Sequence, residues 1–137
     1  MSAPAPTKLL VFDQDTLGEN FLKQMLKPDG FEIIKVSSNT DGLLASRSLK
    51  PDVIVINLMQ PPANGWKICR KLREFSQVPI LVLAAVSDPH IIALWLDAGA
   101  DDYLTKPFST EVLVAHLQKL TRRLKIIQNP PQAPLIQ

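Results

Sequence analysis

Short apolar runs bounded by polar or turn residues recur along the chain. Four of them are continuous: Leu9 to Phe12, Val53 to Ile56, Ile80 to Val86 and the weaker Tyr103 to Leu104. Continuous runs of this length are typical of strands that are buried on both faces of a sheet. A fifth run, Phe31 to Val36, is interrupted by Glu32 and Lys35. This interruption predicts a strand at the edge of the sheet, partly open to solvent.

Segments with helical spacing separate these runs. The apolar positions of the first three are Leu17, Phe21 and Met25, then Leu43, Leu44 and Leu49, then Ile68, Leu72 and Phe75. A Lys-Pro-Asp-Gly sequence at residues 27–30 marks the end of the first helix, the second helix follows Thr40, and the third begins near Gly65.

Capping signals define the last two helices. Asp88 can cap the fourth helix, with Pro89 at its first position and Gly99 at its end. Ser109 can cap the fifth. The apolar stripe of the fifth helix has the spacing i, i+4, i+7, i+11 and consists of Leu113, Leu117, Leu120 and Leu124.

The alternation of strands and helices predicts an α/β fold with a parallel sheet and helices on both faces. We assign residues 8–127 to one domain, preceded by an N-terminal extension at 1–7 and followed by a Pro-rich linker or tail at 128–137. Pro130, Pro131 and Pro134 in that tail cannot continue a helix.

Composition restricts the class of protein further. The 137 residues are 46% hydrophobic and 20% charged, as in an average soluble domain, and the apolar runs are far shorter than the ~18 residues of a membrane span. A net charge of +2 is too small to favour direct contact with nucleic acid. The single cysteine, Cys69, fits a small core residue. We expect a cytoplasmic protein without a cofactor.

The carboxyl ends of the predicted strands should lie together, at the edge where an open parallel sheet binds its ligands. The residues at these ends are Asp13, Gln14 and Asp15, then Asn57, then Ala84, then Lys106. The first three follow the first strand, and the others follow the third, fourth and fifth. The function is therefore expected to lie with these side chains.

Two motifs resemble those of a known family: Pro-Asp-Val-Ile-Val-Ile-Asn-Leu-Met-Gln-Pro at the third strand and Gly-Ala-Asp-Asp-Tyr-Leu-Thr-Lys-Pro-Phe at residues 99–108. With the acidic residues after the first strand, they make the stretch from Lys8 to Leu124 similar to response-regulator receiver domains of two-component signalling. The resemblance implies a flavodoxin-like, doubly wound sheet of five parallel strands in the order 2-1-3-4-5 with five helices. It also implies a cis peptide bond after Lys106.

The resemblance implies a phosphoryl-transfer site that is degenerate in this chain. Receivers hold Mg²⁺ with two acidic residues after strand one and with an Asp at the end of strand three, which also accepts the phosphoryl group. The matching residues here are Asp13, Gln14 and Asn57, with Met59 where a backbone carbonyl completes the metal site. Because amides replace two carboxylates, we expect no catalytic residue and no metal beyond a weak site at Asp13 and Asp15.

The remaining groups of the site allow more than one interpretation. One of Asp13 and Asp15 can pair with Lys106 while the other caps the first helix. The family's switch uses a Ser or Thr hydroxyl where this chain has Ala84, so the switch is incomplete. Tyr103 matches the aromatic switch position, although it can also serve packing alone.

The predicted fourth helix is apolar on almost every side. Ile91 and Trp95 form one stripe, Ile92 and Leu96 form another, and a helix that covers one face of a sheet needs only one stripe. The stripe left at the surface indicates a contact site for a protein partner or a second copy, unless Trp95 fills a gap beside the third helix. Receivers pair through helix four, strand five and helix five, and the further interface positions that this resemblance implies are Asp97, Asp101, Asp102, His116 and Arg123.

We expect an atypical receiver, a pseudo-receiver without enzymatic activity, that signals by phosphorylation-independent protein contact or dimerisation. Its candidate partners are a histidine kinase and an output domain. The alternative is a receiver that is still phosphorylated, in a phosphorelay with a histidine kinase, on Asp13 or Asp15 in place of Asn57. A small-molecule binder of flavodoxin type has less support because no Gly-rich phosphate loop opens any helix.

Overall fold

The computed structural model describes residues 6–13, 21–58 and 65–128, without the side chains of residues 21 and 123–128. The strands are β1 (Thr7–Asp13), β2 (Phe31–Val36), β3 (Val53–Asn57), β4 (Ile80–Ala84) and β5 (Asp102–Thr105). The helices are α1 (Phe21–Leu26), α2 (Asn39–Ser48), α3 (Lys67–Arg73), α4 (Pro89–Asp97) and α5 (Thr110–Gln128). The predicted α/β fold is confirmed, since the strands form one parallel sheet in the order β2-β1-β3-β4-β5.

The two edge strands differ from the three central ones in burial. Every residue of β3 and β4 is buried, whereas β2 and β5 are mostly half-buried. The prediction that Phe31 to Val36 forms an edge strand is therefore confirmed. The fourth strand ends at Ala84, two residues before the predicted Val86, and the first begins at Thr7, inside the predicted extension.

A separate apolar core lies on each face of the sheet. One contains Leu10 and Ile54 from the strands and residues of α3 and α4. The other contains Leu9 and Val53 together with residues of α1 and α5, including the predicted stripe residue Leu113. Neighbouring strand residues enter opposite cores because side chains alternate across a strand. Leu43 and Ala45 of α2 also pack against the first core, so α2, α3 and α4 cover one face of the sheet and α1 and α5 cover the other.

The helix ends follow the capping signals closely. The Asp88 carboxylate accepts a hydrogen bond from the His90 backbone N–H at 2.9 Å, as predicted for the start of α4. The Ser109 hydroxyl accepts one from the backbone N–H of Val112 at 3.2 Å at the start of α5. In α2 the cap is Ser38, two residues before the predicted Thr40. The first helix ends in a 3-10 turn at residues 27–29.

Gly42 allows α2 to approach the sheet closely. A Cβ atom at this position would lie 2.1 Å from the Phe12 ring, so only a residue without a side chain fits. The contact orients the helix such that Leu43 packs against the core while Leu44 and Leu49 are 62% and 38% exposed. Of the three apolar positions predicted for the second helix, Leu44 and Leu49 therefore lie outside the core.

Arg73 joins three elements at the amino end of β4. Its guanidinium donates to the backbone carbonyls of Gly99, Ser76 and Val78 and lies 2.7 Å from the Asp101 carboxylate. The same carboxylate accepts from the Ile80 backbone N–H at 2.9 Å. These bonds tie the end of α3 to the end of α4 and to the start of β4.

Substitution of Gly42 by alanine should lower the free energy of unfolding by about 1–3 kcal/mol, because the added methyl group displaces the Phe12 ring. The higher helix propensity of alanine, about 1 kcal/mol, offsets only part of that cost. Urea unfolding followed by circular dichroism measures the difference. Thr40→Ala, at an exposed position of the same helix, is the matched control and should change stability little. Equal stability of Gly42→Ala and the wild type would contradict the tight contact.

Candidate functional site

Asp13 and Asn57 lie side by side at the carboxyl end of the sheet. They are paired in the register of β1 and β3, each as the last residue of its strand. Their exposures are only 4% and 9%. The predicted meeting of these two side chains is therefore seen in the structure, in a setting largely withdrawn from water.

The Asn57 amide has an unusual environment. Its Oδ1 atom is buried and has no hydrogen-bond partner among the residues that the structure describes. A buried amide oxygen without a donor is energetically unfavourable, typically by about 1–3 kcal/mol. Packing alone therefore does not favour a buried amide side chain at this position.

Lys106 approaches the same end from β5. Its Nζ donates a hydrogen bond to the Leu58 carbonyl at 3.0 Å, one residue beyond Asn57. Its backbone N–H bonds the Ala84 carbonyl at 2.9 Å, and the peptide bond to Pro107 is cis, as expected. Ala84 is fully buried, so the end of β4 presents a methyl group at this point.

Lys35 also reaches this end of the sheet, although it was not among the predicted site residues. Its Nζ lies 3.8 Å from Oδ2 of Asp13. From sequence, Lys35 only interrupts an apolar run. The pairing of Val11 with Lys35 in the β1–β2 register is what sets Lys35 on the same face as Asp13, and that register is not evident before the sheet is assembled.

Several predicted site residues lie outside the described part of the structure. Gln14 and Asp15 follow β1 and fall between residues 13 and 21, while Met59 immediately follows residue 58. The side chain of Arg123 is likewise not described. The roles assigned to these four residues stay predictions.

Tyr103 is hydrogen-bonded to the loop after β4. Its hydroxyl donates to the Val86 carbonyl at 2.8 Å, and its ring packs against the core that contains Trp95. Burial raises the pKa of the Tyr103 phenol above its ordinary value of 10.0. The ring therefore has a hydrogen bond and an apolar contact that both hold it in this orientation.

The outer surface of α4 differs from the prediction at its tryptophan. Trp95 is 1% exposed and belongs to the core beside α3, so its assignment to an interface is wrong and the alternative placement in a gap is correct. Ile91 packs against the same core. The stripe with Ile92 and Leu96 is therefore the outward one, and Leu96 is 41% exposed.

The acidic residues near β5 are engaged within the domain. Asp101 binds Arg73 and the start of β4, and its assignment to an interface stays a prediction. Asp102 is hydrogen-bonded to Nδ1 of His116, with the Lys119 ammonium at 3.6 Å. Burial alone would raise the pKa of Asp102, but the bonds from His116 and from the Tyr103 N–H keep that pKa below its ordinary value of 3.8.

Comparison with known sequences decides the family. Residues 9–118 match the family described as response regulator receiver domain. The chain belongs to the response-regulator receiver family. The sheet order and the five helices are those of its flavodoxin-like fold.

Curated relatives of this receiver are named as a DNA-binding response regulator and a transcriptional regulatory protein. The chain is 40% identical over 116 residues to the DNA-binding response regulator MtrA of Mycobacterium tuberculosis, covering 85% of this chain and 51% of MtrA. It is 35% identical over 128 residues to the transcriptional regulatory protein CseB of Streptomyces avermitilis, covering 93% of this chain and 54% of CseB. The receiver thus spans about half the length of these relatives.

Solved structures support the same assignment. A two-component response regulator from Clostridium difficile superposes with a TM-score of 0.77 at 30% identity, over 86% of this chain and 98% of the other. The likeness extends over nearly the whole of the compared domain. The two proteins therefore share the same fold over 86% of this chain.

Among the described residues, the donors at the sheet end do not fit a divalent cation. Family resemblance places Mg²⁺ beside Asp13 and Asn57, and hard cations prefer anionic oxygens. Here Asn57 is a neutral amide, and the Lys35 ammonium lies beside the Asp13 carboxylate. Among the described residues, no group of three or more His, Cys, Asp or Glu side chains could hold a metal ion.

Two further features of the receiver are consistent with its composition. Cys69 is fully buried, and burial raises its pKa to about 12, so it is a core residue as predicted and not a reactive thiol. No helix in the described part of the chain is long and apolar enough to cross a membrane.

Ionisation of Tyr103 should occur above pH 10.0, because burial raises its pKa. Tyr103 is the single tyrosine of the receiver, so ultraviolet absorbance during a pH titration reports it alone. Since the folded pKa exceeds the unfolded one, the stabilisation from the neutral phenol is complete below the unfolded pKa and is lost as pH rises through the folded pKa. Titration in concentrated urea is the control. A folded midpoint equal to the urea midpoint would contradict the buried environment.

Proposed function

We propose that this receiver transmits signals through protein contacts and is not phosphorylated at the carboxyl end of its sheet. Asn57 carries the proposal, because it occupies the end of β3 beside buried Asp13, where the family resemblance places the phosphoacceptor. The neutral amide has no anionic oxygen with which to attack a phosphoryl group. No acyl phosphate can therefore form at this residue.

The groups that would read a phosphoryl signal support the same conclusion. Ala84 presents no hydroxyl at the end of β4, so it cannot follow a phosphoryl oxygen as the Ser or Thr of the family does. Tyr103 is held by the Val86 carbonyl and by core packing. In this proposal the receiver rests in one conformation that does not depend on phosphorylation.

The contact surface in this proposal is the one formed by α4, β5 and α5. β5 is the edge strand between α4 on one face of the sheet and α5 on the other. Leu94 and Leu96 of α4 and Val112 in the first turn of α5 are 45%, 41% and 43% exposed. Exposed apolar side chains on these elements favour a protein contact there.

Charge pairing within the domain makes the proposed contact mainly apolar. Asp102 is bound by His116 and Lys119, and Asp101 is bound by Arg73. A carboxylate with a partner in its own domain has less to gain from a basic residue of another copy. Self-association through the leucines of α4 is therefore the form of contact that we favour, with another protein as the second choice.

The relatives suggest what such a contact would control. MtrA is named a DNA-binding response regulator and CseB a transcriptional regulatory protein, and the receiver covers about half of each. We infer that this receiver acts on an output domain of the DNA-binding kind, while making no contact with DNA itself. Its cytoplasmic location is part of the same inference.

Incubation with acetyl phosphate and Mg²⁺ should leave the mass of the intact receiver unchanged, because Asn57 cannot form an acyl phosphate. Electrospray mass spectrometry measures the result, with a receiver that retains the acceptor Asp as the positive control. A hydroxylamine-sensitive adduct on the wild-type chain, mapped to Asp13 or Asp15, would establish the phosphorelay alternative instead. Amide NMR shifts near Asn57, Ala84 and Lys106 on addition of beryllofluoride would point the same way.

Leu96→Asp should weaken self-association about tenfold or more, because it sets a charge in an apolar contact. Size-exclusion chromatography with light scattering over a concentration series measures the dimer constant. Leu44→Asp is the matched control, since Leu44 is a more exposed leucine on α2, away from the proposed surface. A wild type that stays monomeric, or equal effects of the two variants, would contradict self-association through α4.

A further inference from the structure

Lys35 enters the sheet end from the edge strand and meets a buried carboxylate there. The Lys35 Nζ and the Asp13 Oδ2 are 3.8 Å apart, and the two side chains are 21% and 5% exposed. Lys35 pairs in register with Val11, two residues before Asp13. Its aliphatic stem therefore spans the rise of two strand residues, about 7 Å.

The Asp13 carboxylate requires a positive charge at this depth. A buried ionised group is unfavourable unless it is paired or coordinates a metal. In receivers that bind Mg²⁺ the family resemblance assigns this role to the metal. Here the adjacent strand-end residue, Asn57, is neutral, and the cation nearest to Asp13 in the described contacts is an ammonium of the chain itself.

Lys106 adds a second ammonium on the other side of Asn57. Its Nζ bonds the Leu58 carbonyl at 3.0 Å. The family motif at residues 99–108 includes this lysine, so the ammonium that distinguishes this sheet end from that of metal-binding receivers is Lys35. Like charges at short range oppose binding, so Lys35 disfavours a free cation at the point where Asp13 would attract one.

We propose that Lys35 is a tethered counter-ion that replaces the divalent cation at the sheet end and excludes it. In this proposal the Lys35 ammonium takes the place beside the Asp13 carboxylate that a metal ion would otherwise occupy. This inference rests on the proposed function, because a receiver that is still phosphorylated needs its metal site open. It extends that function by naming the residue that closes the site.

The test restores the missing carboxylate and then removes the lysine. In an Asn57→Asp background, Lys35→Met should raise the affinity for Mg²⁺ about tenfold or more, the effect of removing one neighbouring like charge. The control is Lys71→Met in the same background, since Lys71 is exposed on α3 and its removal changes the net charge equally. Amide NMR during a Mg²⁺ titration at constant ionic strength gives both affinities. Equal affinities of the two double variants would overturn the role of Lys35.

A second measurement does not depend on metal binding or on the Asn57 variant. Lys35→Met alone should lower the midpoint of thermal unfolding by roughly 3 °C, whereas Lys35→Met should cause no further loss in an Asp13→Asn chain. Equal losses in the two backgrounds would show that Lys35 does not act through Asp13 and would also overturn the inference.

The outcomes separate the two proposals. An acyl phosphate on the wild-type chain would overturn the proposed function whatever the Mg²⁺ affinities are. Equal Mg²⁺ affinities without any phosphoryl adduct would overturn the counter-ion role alone and would leave a receiver that signals by contact.

Discussion

Burial of the central strands on both faces is the constraint on which the rest of the molecule depends. Every residue of β3 and β4 is buried, as is β1 from Leu9 onward, so a polar side chain in the buried part of these strands is tolerated only where a strand ends. Asp13 and Asn57 are such last residues, and the parallel register sets them beside each other. The same register brings Lys35 to Asp13. These described polar groups are thereby gathered at the carboxyl end of the sheet.

The fold was predictable because its signals are local. Continuous apolar runs indicated the buried strands, the polar interruptions at Glu32 and Lys35 indicated the edge, and the caps Asp88 and Ser109 indicated two helix starts. The meeting of Asp13 with Asn57 also followed, since strand ends converge in any parallel sheet. The positions of the strand ends therefore predict which residues lie at the site, but not which hydrogen bonds and ion pairs they form.

Side-chain burial and ion pairing depend on tertiary distances that a local sequence pattern does not reveal. Leu44 has the spacing of a core residue, but the approach of α2 through Gly42 turns it outward. Trp95 belongs to one of two equivalent apolar stripes, and only the packed helix shows which stripe is covered. The ion pair of Asp101 with Arg73 joins residues far apart in sequence. The sequence did not decide these cases, because tertiary packing determines which of several similar faces is buried and which distant residues meet.

The placement of the two tryptophans gives the domain a pair of unlike fluorophores. Trp95 is enclosed in the core beneath α4, whereas Trp66 stands partly open at the start of α3 with the Arg70 guanidinium 4.8 Å from its ring centroid. An enclosed indole emits at shorter wavelength than one near water and charge. Light emitted by the native chain is thus a sum of two separable components, and a displacement of α4 would alter the one from Trp95.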